Sequence, residues 1–126
     1  MRIAQRDDWE IQPIPSKLAS ISVEKFYSQD EFNKLIAGVI PEVMEEKWFV
    51  FYESPWLYLY RSWTGDFVFK VRFEVVAGGV AIAEALVNRD PNQYTETDHK
   101  QDIAILITSL DSCITRNTRN QILRNH

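Results

Sequence analysis

The chain has 126 residues, 45% of them hydrophobic and 25% charged, with a net charge of −4. This length suits one domain that buries roughly two thirds of its unfolded surface, with the composition of an ordinary soluble globular protein. The acidic surplus argues against a general nucleic-acid binder, which needs excess cations to neutralise phosphates.

Cys113 is the single cysteine, which excludes an intrachain disulfide and fits a reducing compartment. The opening MRIAQRDDWEIQ lacks the apolar run of a signal peptide. No stretch nears the roughly 18 apolar residues of a membrane span, so a cytoplasmic protein without membrane partners is expected.

Pro13 and Pro15 keep the first fifteen residues out of regular ladders. Residues 17–26 alternate loosely through Leu18, Ile21, Val23 and Phe26, which suits an edge strand. Ser28-Gln29-Asp30-Glu31 has capping-box spacing, and Phe32, Leu35, Ile36, Val39 and Ile40 follow at helical intervals. Pro41 breaks or restarts that helix, with Val43 and Met44 continuing its apolar side to about Glu46.

Four strands follow, at about 47–53, 56–62, 66–76 and 79–88. Their joints, Ser54-Pro55, Thr64-Gly65 and Ala77-Gly78-Gly79, are short and turn-prone, so the strands form an antiparallel meander. Residues 88–94 read as a loop. Thr97 or Asp98 can cap a last helix whose apolar stripe is Ile103, Leu106, Ile107, Leu110 and Ile114. Residues 116–126 are polar and basic and are expected to form a loose tail. The fold class is therefore α+β. It is a single domain over 1–126, an antiparallel β-meander of about four strands with N-terminal and C-terminal helices packed on one face.

A two-residue turn at Thr64-Gly65 sets Tyr60, Tyr58 and Trp56 opposite Phe69, Val71 and Phe73, and cross-strand partners share a face. Phe49, Phe51, Ile82 and Leu86 join them on the side that the helices should cover. The other side receives Trp48, Val50, Tyr52, Leu57, Leu59, Arg61, Val68, Lys70, Arg72 and the alanines of the fourth strand. A one-residue bulge reverses every assignment beyond it. Ser54-Pro55 is the weakest joint, because proline fits poorly at the second central position of a turn.

Residues 47–74 hold three of the four tryptophans and five of the seven phenylalanines. One core face of so small a domain does not need that much aromatic area, so the second face is expected to bind something. Arg61, Lys70 and Arg72 would hold a phosphate or carboxylate there, and Trp63, Trp48 or Tyr52 would stack a ring. Thr64 adds a hydroxyl beside Gly65, the residue that supplies positive φ. The alternative for Arg61 is an ion pair with Glu74, Asp66 or a helix carboxylate on a wet face.

No reaction is named by any motif, and no catalytic residue is assigned. Cys113 lies near the apolar stripe of the last helix, where a buried thiol is inert. His99 and His126 have no second ligand at metal spacing, so neither a metal nor a cofactor is expected. Glu84 or Glu74 beside the cations would be needed for an enzyme.

The run Lys47-Trp48-Phe49, then Trp56-Leu57-Tyr58 with Arg61-Ser62-Trp63-Thr64-Gly65, and the closing Val71-Arg72-Phe73-Glu74, resembles a small bacterial domain. That domain is found near or fused to ADP-ribosylglycohydrolase-like and other defence-associated proteins. The resemblance covers about 28 of the 126 residues. It implies a link to ADP-ribose-type nucleotides and supplies no catalytic residue. The function expected is non-enzymatic binding of a small anionic, nucleotide-like ligand, as in anti-defence proteins that sequester a signal nucleotide. The alternative is a protein–protein module or homo-oligomer closed through the second sheet face.

Overall fold

The structure is a computed structural model that describes residues 3–95 and 98–124. It is α+β, with one antiparallel sheet of six strands and two helices. The strands are β1 (Leu18–Ile21), β2 (Phe26–Ser28), β3 (Trp48–Glu53), β4 (Trp56–Arg61), β5 (Phe67–Val76) and β6 (Gly79–Asn88). Helix α1 is Gln29–Ala37 and α2 is His99–Arg124.

Strands β3 to β6 form the expected meander, and the sheet order is β1-β6-β5-β4-β3. The expected edge strand at 17–26 is two short strands, with β1 and β2 pairing along successive parts of β6. The capping box forms as read: Ser28 Oγ accepts from the Glu31 amide at 3.1 Å, and Glu31 Oε1 accepts from the Ser28 amide at 2.9 Å.

Helix α1 stops earlier than expected. Gly38 takes φ 72° and ends it, and a Cβ there would run into the Val50 carbonyl oxygen. Residues 38–47 form an extended strap instead, with Val39 exchanging both backbone hydrogen bonds with Val50 on the outer edge of β3. Helix α2 in turn extends into the stretch expected as a loose tail at 116–126, of which 125–126 lie outside the described residues. It runs through Arg124 with Asn117 buried, because that stretch is clamped to α1 and the strap. Asp98 Oδ1 accepts from the Lys100 amide at 2.8 Å and so acts as the helix cap, whereas Thr97 and His126 lie outside the described residues.

The β3–β4 register is the one expected, with Phe49 opposite Tyr60 and Phe51 opposite Tyr58. Its Ser54–Pro55 peptide is cis. The β4–β5 register is not the one expected. Arg61 donates to the Asp66 carbonyl across a four-residue turn, and Val68 then bulges between Leu59/Phe69 and Tyr60/Phe67. The net slip is one residue, so Trp56 faces Arg72 and Tyr58 faces Lys70. A second irregularity between Arg72 and Phe73 moves Ala85 opposite Val71 and Leu86 opposite Lys70.

The helices therefore cover the face of Val50, Leu57, Leu59, Phe69, Val71 and Ala85, with Leu35, Leu106 and Leu110 packed against it. The other face carries Phe49, Phe51, Tyr60 and Phe67. Ala4, Trp9, Ile11 and Ile14 of the N-terminal segment fill it. Trp9 stacks on Phe49 with centroids 6.0 Å apart, and its indole N–H donates to the Ser62 carbonyl at 2.9 Å. Gly65 lets this segment approach, since a Cβ there would sit 2.6 Å from the Glu10 carbonyl oxygen. The aromatic excess of residues 47–74 is thus met by the chain itself.

If the N-terminal segment is a structural layer, Trp9→Ala costs about 2–4 kcal/mol of folding stability, the loss of a packed ring plus its hydrogen bond. Urea denaturation measures it, and a change under about 0.5 kcal/mol would place this segment outside the cooperative core.

Candidate functional site

The three cations expected to act together are divided between the two faces by the one-residue slip. Arg61 ends β4 on the helix side, its guanidinium carbon 5.9 Å from the Trp48 ring centroid and 5.7 Å from that of Tyr94. Lys70 and Arg72 emerge from the opposite face. Lys70 Nζ lies 4.4 Å from the Trp56 ring centroid, and Arg72 Nε lies 3.4 Å from Glu84 Oε2. Each has a partner within the chain.

The aromatic candidates disperse as well. Tyr52 packs edge-on against Phe32, with centroids 5.8 Å apart, beneath α1. Trp63 is exposed in the β4–β5 turn and donates from Nε1 to the Met44 carbonyl at 3.0 Å. Thr64 Oγ1 accepts from the Asp66 amide at 3.2 Å, a turn contact. Of the seven, Trp48 lines the cleft beside α2, half-buried beside Phe69.

That cavity is a cleft of about 590 Å³ between α2 and the outer edge of β3, walled by the strap. Trp48 and Val50 form its base, Lys47 and the strap glutamates one wall, and Thr108, Ser112, Arg116 and Arg119 the other. The α2 wall follows from helical geometry, because residues 108, 112, 116 and 119 recur every three or four positions on one side. That polar spacing is readable in the sequence beside the apolar stripe, as the signal for this wall.

Arg116 holds the strap in place. It donates to Glu46 Oε2 at 2.5 Å, to the Ile40 carbonyl at 3.0 Å and to Glu42 Oε1 at 3.4 Å. Its remaining contact is with Asn117 Oδ1 at 3.1 Å. Asn117 Nδ2 donates to the carbonyls of Lys34 and Gly38 at 2.8 and 2.9 Å, satisfying the end of α1. With its donors committed, Arg116 is a clamp with little left to offer a ligand. Lys47 and Arg119 have no side-chain partner among the described residues, and both are exposed at the cleft.

A second buried network anchors the other end of α2. Asp102 is fully buried and receives the Arg89 guanidinium and the Tyr94 hydroxyl, the latter at 3.0 Å. Asn88, also fully buried, donates to the Phe67 carbonyl at 2.7 Å and to Gln93 Oε1 at 2.9 Å, and so ties the loop after β6 to the sheet. These groups fix the helix and do not open onto the cleft.

Cys113 lies at the cleft's base, where burial pushes its thiol up to about 12. Among the described residues no group of three His, Cys, Asp or Glu side chains could hold a metal ion. None of the described helices is long and apolar enough to cross a membrane. Comparison with protein-family models, curated proteins and solved structures returned no match.

Two outcomes test this geometry. Asn117→Ala strands two carbonyls and should cost about 2–3 kcal/mol in denaturant titration, with faster amide exchange over residues 38–46. An unchanged exchange pattern there would remove the clamp. Because a thiol at about 12 is almost wholly protonated at pH 8, Cys113 should react with an aromatic disulfide reagent only after denaturation. Rapid labelling of the folded protein contradicts that protection.

Proposed function

We propose that the protein binds, without transforming it, a small anionic nucleotide-like ligand in the cleft between α2 and β3. The observation that carries this reading is the pairing of unspent charge with a cavity of ligand size. The cleft's 590 Å³ falls within the usual span of small-molecule sites, about 300–1,000 Å³. Lys47 and Arg119 are the cations on its walls without an internal partner among the described residues.

The hydroxyls of Thr108 and Ser112 add neutral donors on the helix wall. The Trp48 indole offers a ring face to a flat group, as base-binding sites often do. Of the strap glutamates that line the cleft, Glu42 and Glu46 are held against Arg116 and Glu45 is not, so Lys47 and Arg119 together outweigh one carboxylate without a partner among the described residues. The resemblance of residues 47–74 makes ADP-ribose the first compound to try. No nucleophile with an adjacent base lines the cleft among the described residues, so retention of the ligand intact is the simpler outcome. A holder of this kind acts by sequestration, with stoichiometric capacity.

Calorimetric titration with ADP-ribose and a panel of nucleoside mono- and diphosphates tests the proposal. Lys47→Ala and Arg119→Ala should each weaken binding about tenfold, the value of one charge-assisted contact. Arg61→Ala, Lys70→Ala and Arg72→Ala should leave affinity unchanged. Binding that ignores the first pair moves the site elsewhere on the molecule. No heat from any member of the panel rejects the reading.

A further inference from the structure

Val43, Met44 and Trp63 project together from the strap and the adjoining turn, at 57%, 74% and 71% exposure. The Trp63–Met44 hydrogen bond pins them as one knob. Scattered apolar residues on a surface need no explanation, but a held cluster of three large ones does. Glu45 stands beside them, exposed and without a side-chain partner among the described residues.

The same side of the molecule carries the complement. A shallow hollow of about 360 Å³ on α2 is lined by Ile114, Thr115, Thr118, Arg119 and Ile122, with Ile122 53% exposed. Arg119 belongs to this hollow and also borders the cleft together with Val43 and Glu45. Knob and hollow therefore flank one opening, with Glu45 at the edge of the knob and Arg119 at the edge of the hollow.

We propose that this surface joins two copies of the chain, the knob of each seated in the α2 hollow of the other. Glu45 of one copy then meets Arg119 of the other. Because knob and hollow are different patches on one side of the chain, a two-fold axis makes the contact twice and closes it. The unbranched Met44 side chain suits a shallow, irregular hollow. A second copy is the occupant favoured by charge, since Glu45 of the knob and Arg119 of the hollow, both unpaired among the described residues, are complementary. The inference stands whether or not the cleft binds a nucleotide.

Sedimentation of the full chain over a wide micromolar range should show a reversible monomer–dimer equilibrium. Met44→Asp should weaken it about tenfold or more, as expected for a central apolar anchor. Glu45→Lys alone and Arg119→Glu alone should each weaken self-association by a similar factor, because like charges then meet twice. An equimolar mixture of those two variants should recover the dimer, since each finds its complement only in the other. Circular dichroism of every variant separates lost assembly from lost fold. A wild type that stays monomeric, variants that dimerise unchanged, assemblies larger than a dimer, or no recovery on mixing would each overturn the proposal.

Discussion

The rest of the structure depends on a sheet that carries large apolar side chains on both faces and has little chain with which to cover them. Helices α1 and α2 lie on the face of Leu57, Leu59, Phe69 and Val71. The face of Phe49, Phe51, Tyr60 and Phe67 is left largely to residues 4–14. Pro13 and Pro15 deny that stretch a place in the ladder, so it lies across the sheet as an irregular layer. Its contacts are specific nonetheless: Trp9 on Phe49, the Gln12 amide on the Gly65 carbonyl at 2.9 Å, and Arg6 on Glu53 at 2.6 Å. The Arg6 contact holds the Glu53 carboxyl below its ordinary range. A domain of this size cannot spend so much aromatic area on a ligand while both its sheet faces still need cover.

Open space for a ligand is consequently found at an edge of the sheet rather than on its faces. The outer side of β3 would be an open template for pairing with other chains. Val39 blocks its centre, and the strap beyond is drawn onto α2 by Arg116. An arginine suits this clamp because its planar fork can reach Glu46, Glu42 and the Ile40 carbonyl at once. The cleft is the space left between strap, helix and strand. Its available charge is what the clamp does not use.

Much of this architecture could be read from residue order. The Ser28–Glu31 box, the Leu106 and Leu110 stripe and four strand positions depend on local spacing, and they form within a residue or so of expectation. Face assignment failed where one residue was enough to reverse it. Val68 is apolar in an apolar strand, and its bulge changes the partner of every residue from Trp56 to Leu59 without any mark in composition. The joint that looked weaker, Ser54-Pro55, kept the expected register. Gly38 was a helix terminator in plain view, overshadowed by the more conspicuous Pro41. The N-terminal layer left no periodic signal because an irregular segment has none.

The candidate site follows the same division. Charges in strands are conspicuous, yet the tertiary structure decides which have partners. Arg61, Lys70 and Arg72 stand out in sequence and are each engaged by an aromatic ring or a carboxylate. Lys47 and Arg119 look unremarkable in sequence and have no side-chain partner among the described residues. Arg119 borders both the cleft and the α2 hollow. An anion in the cleft and Glu45 of a second copy would therefore compete for one guanidinium. Linkage requires that each weaken the other by the same factor, so a ligand held through Arg119 would favour the single chain and its absence the pair.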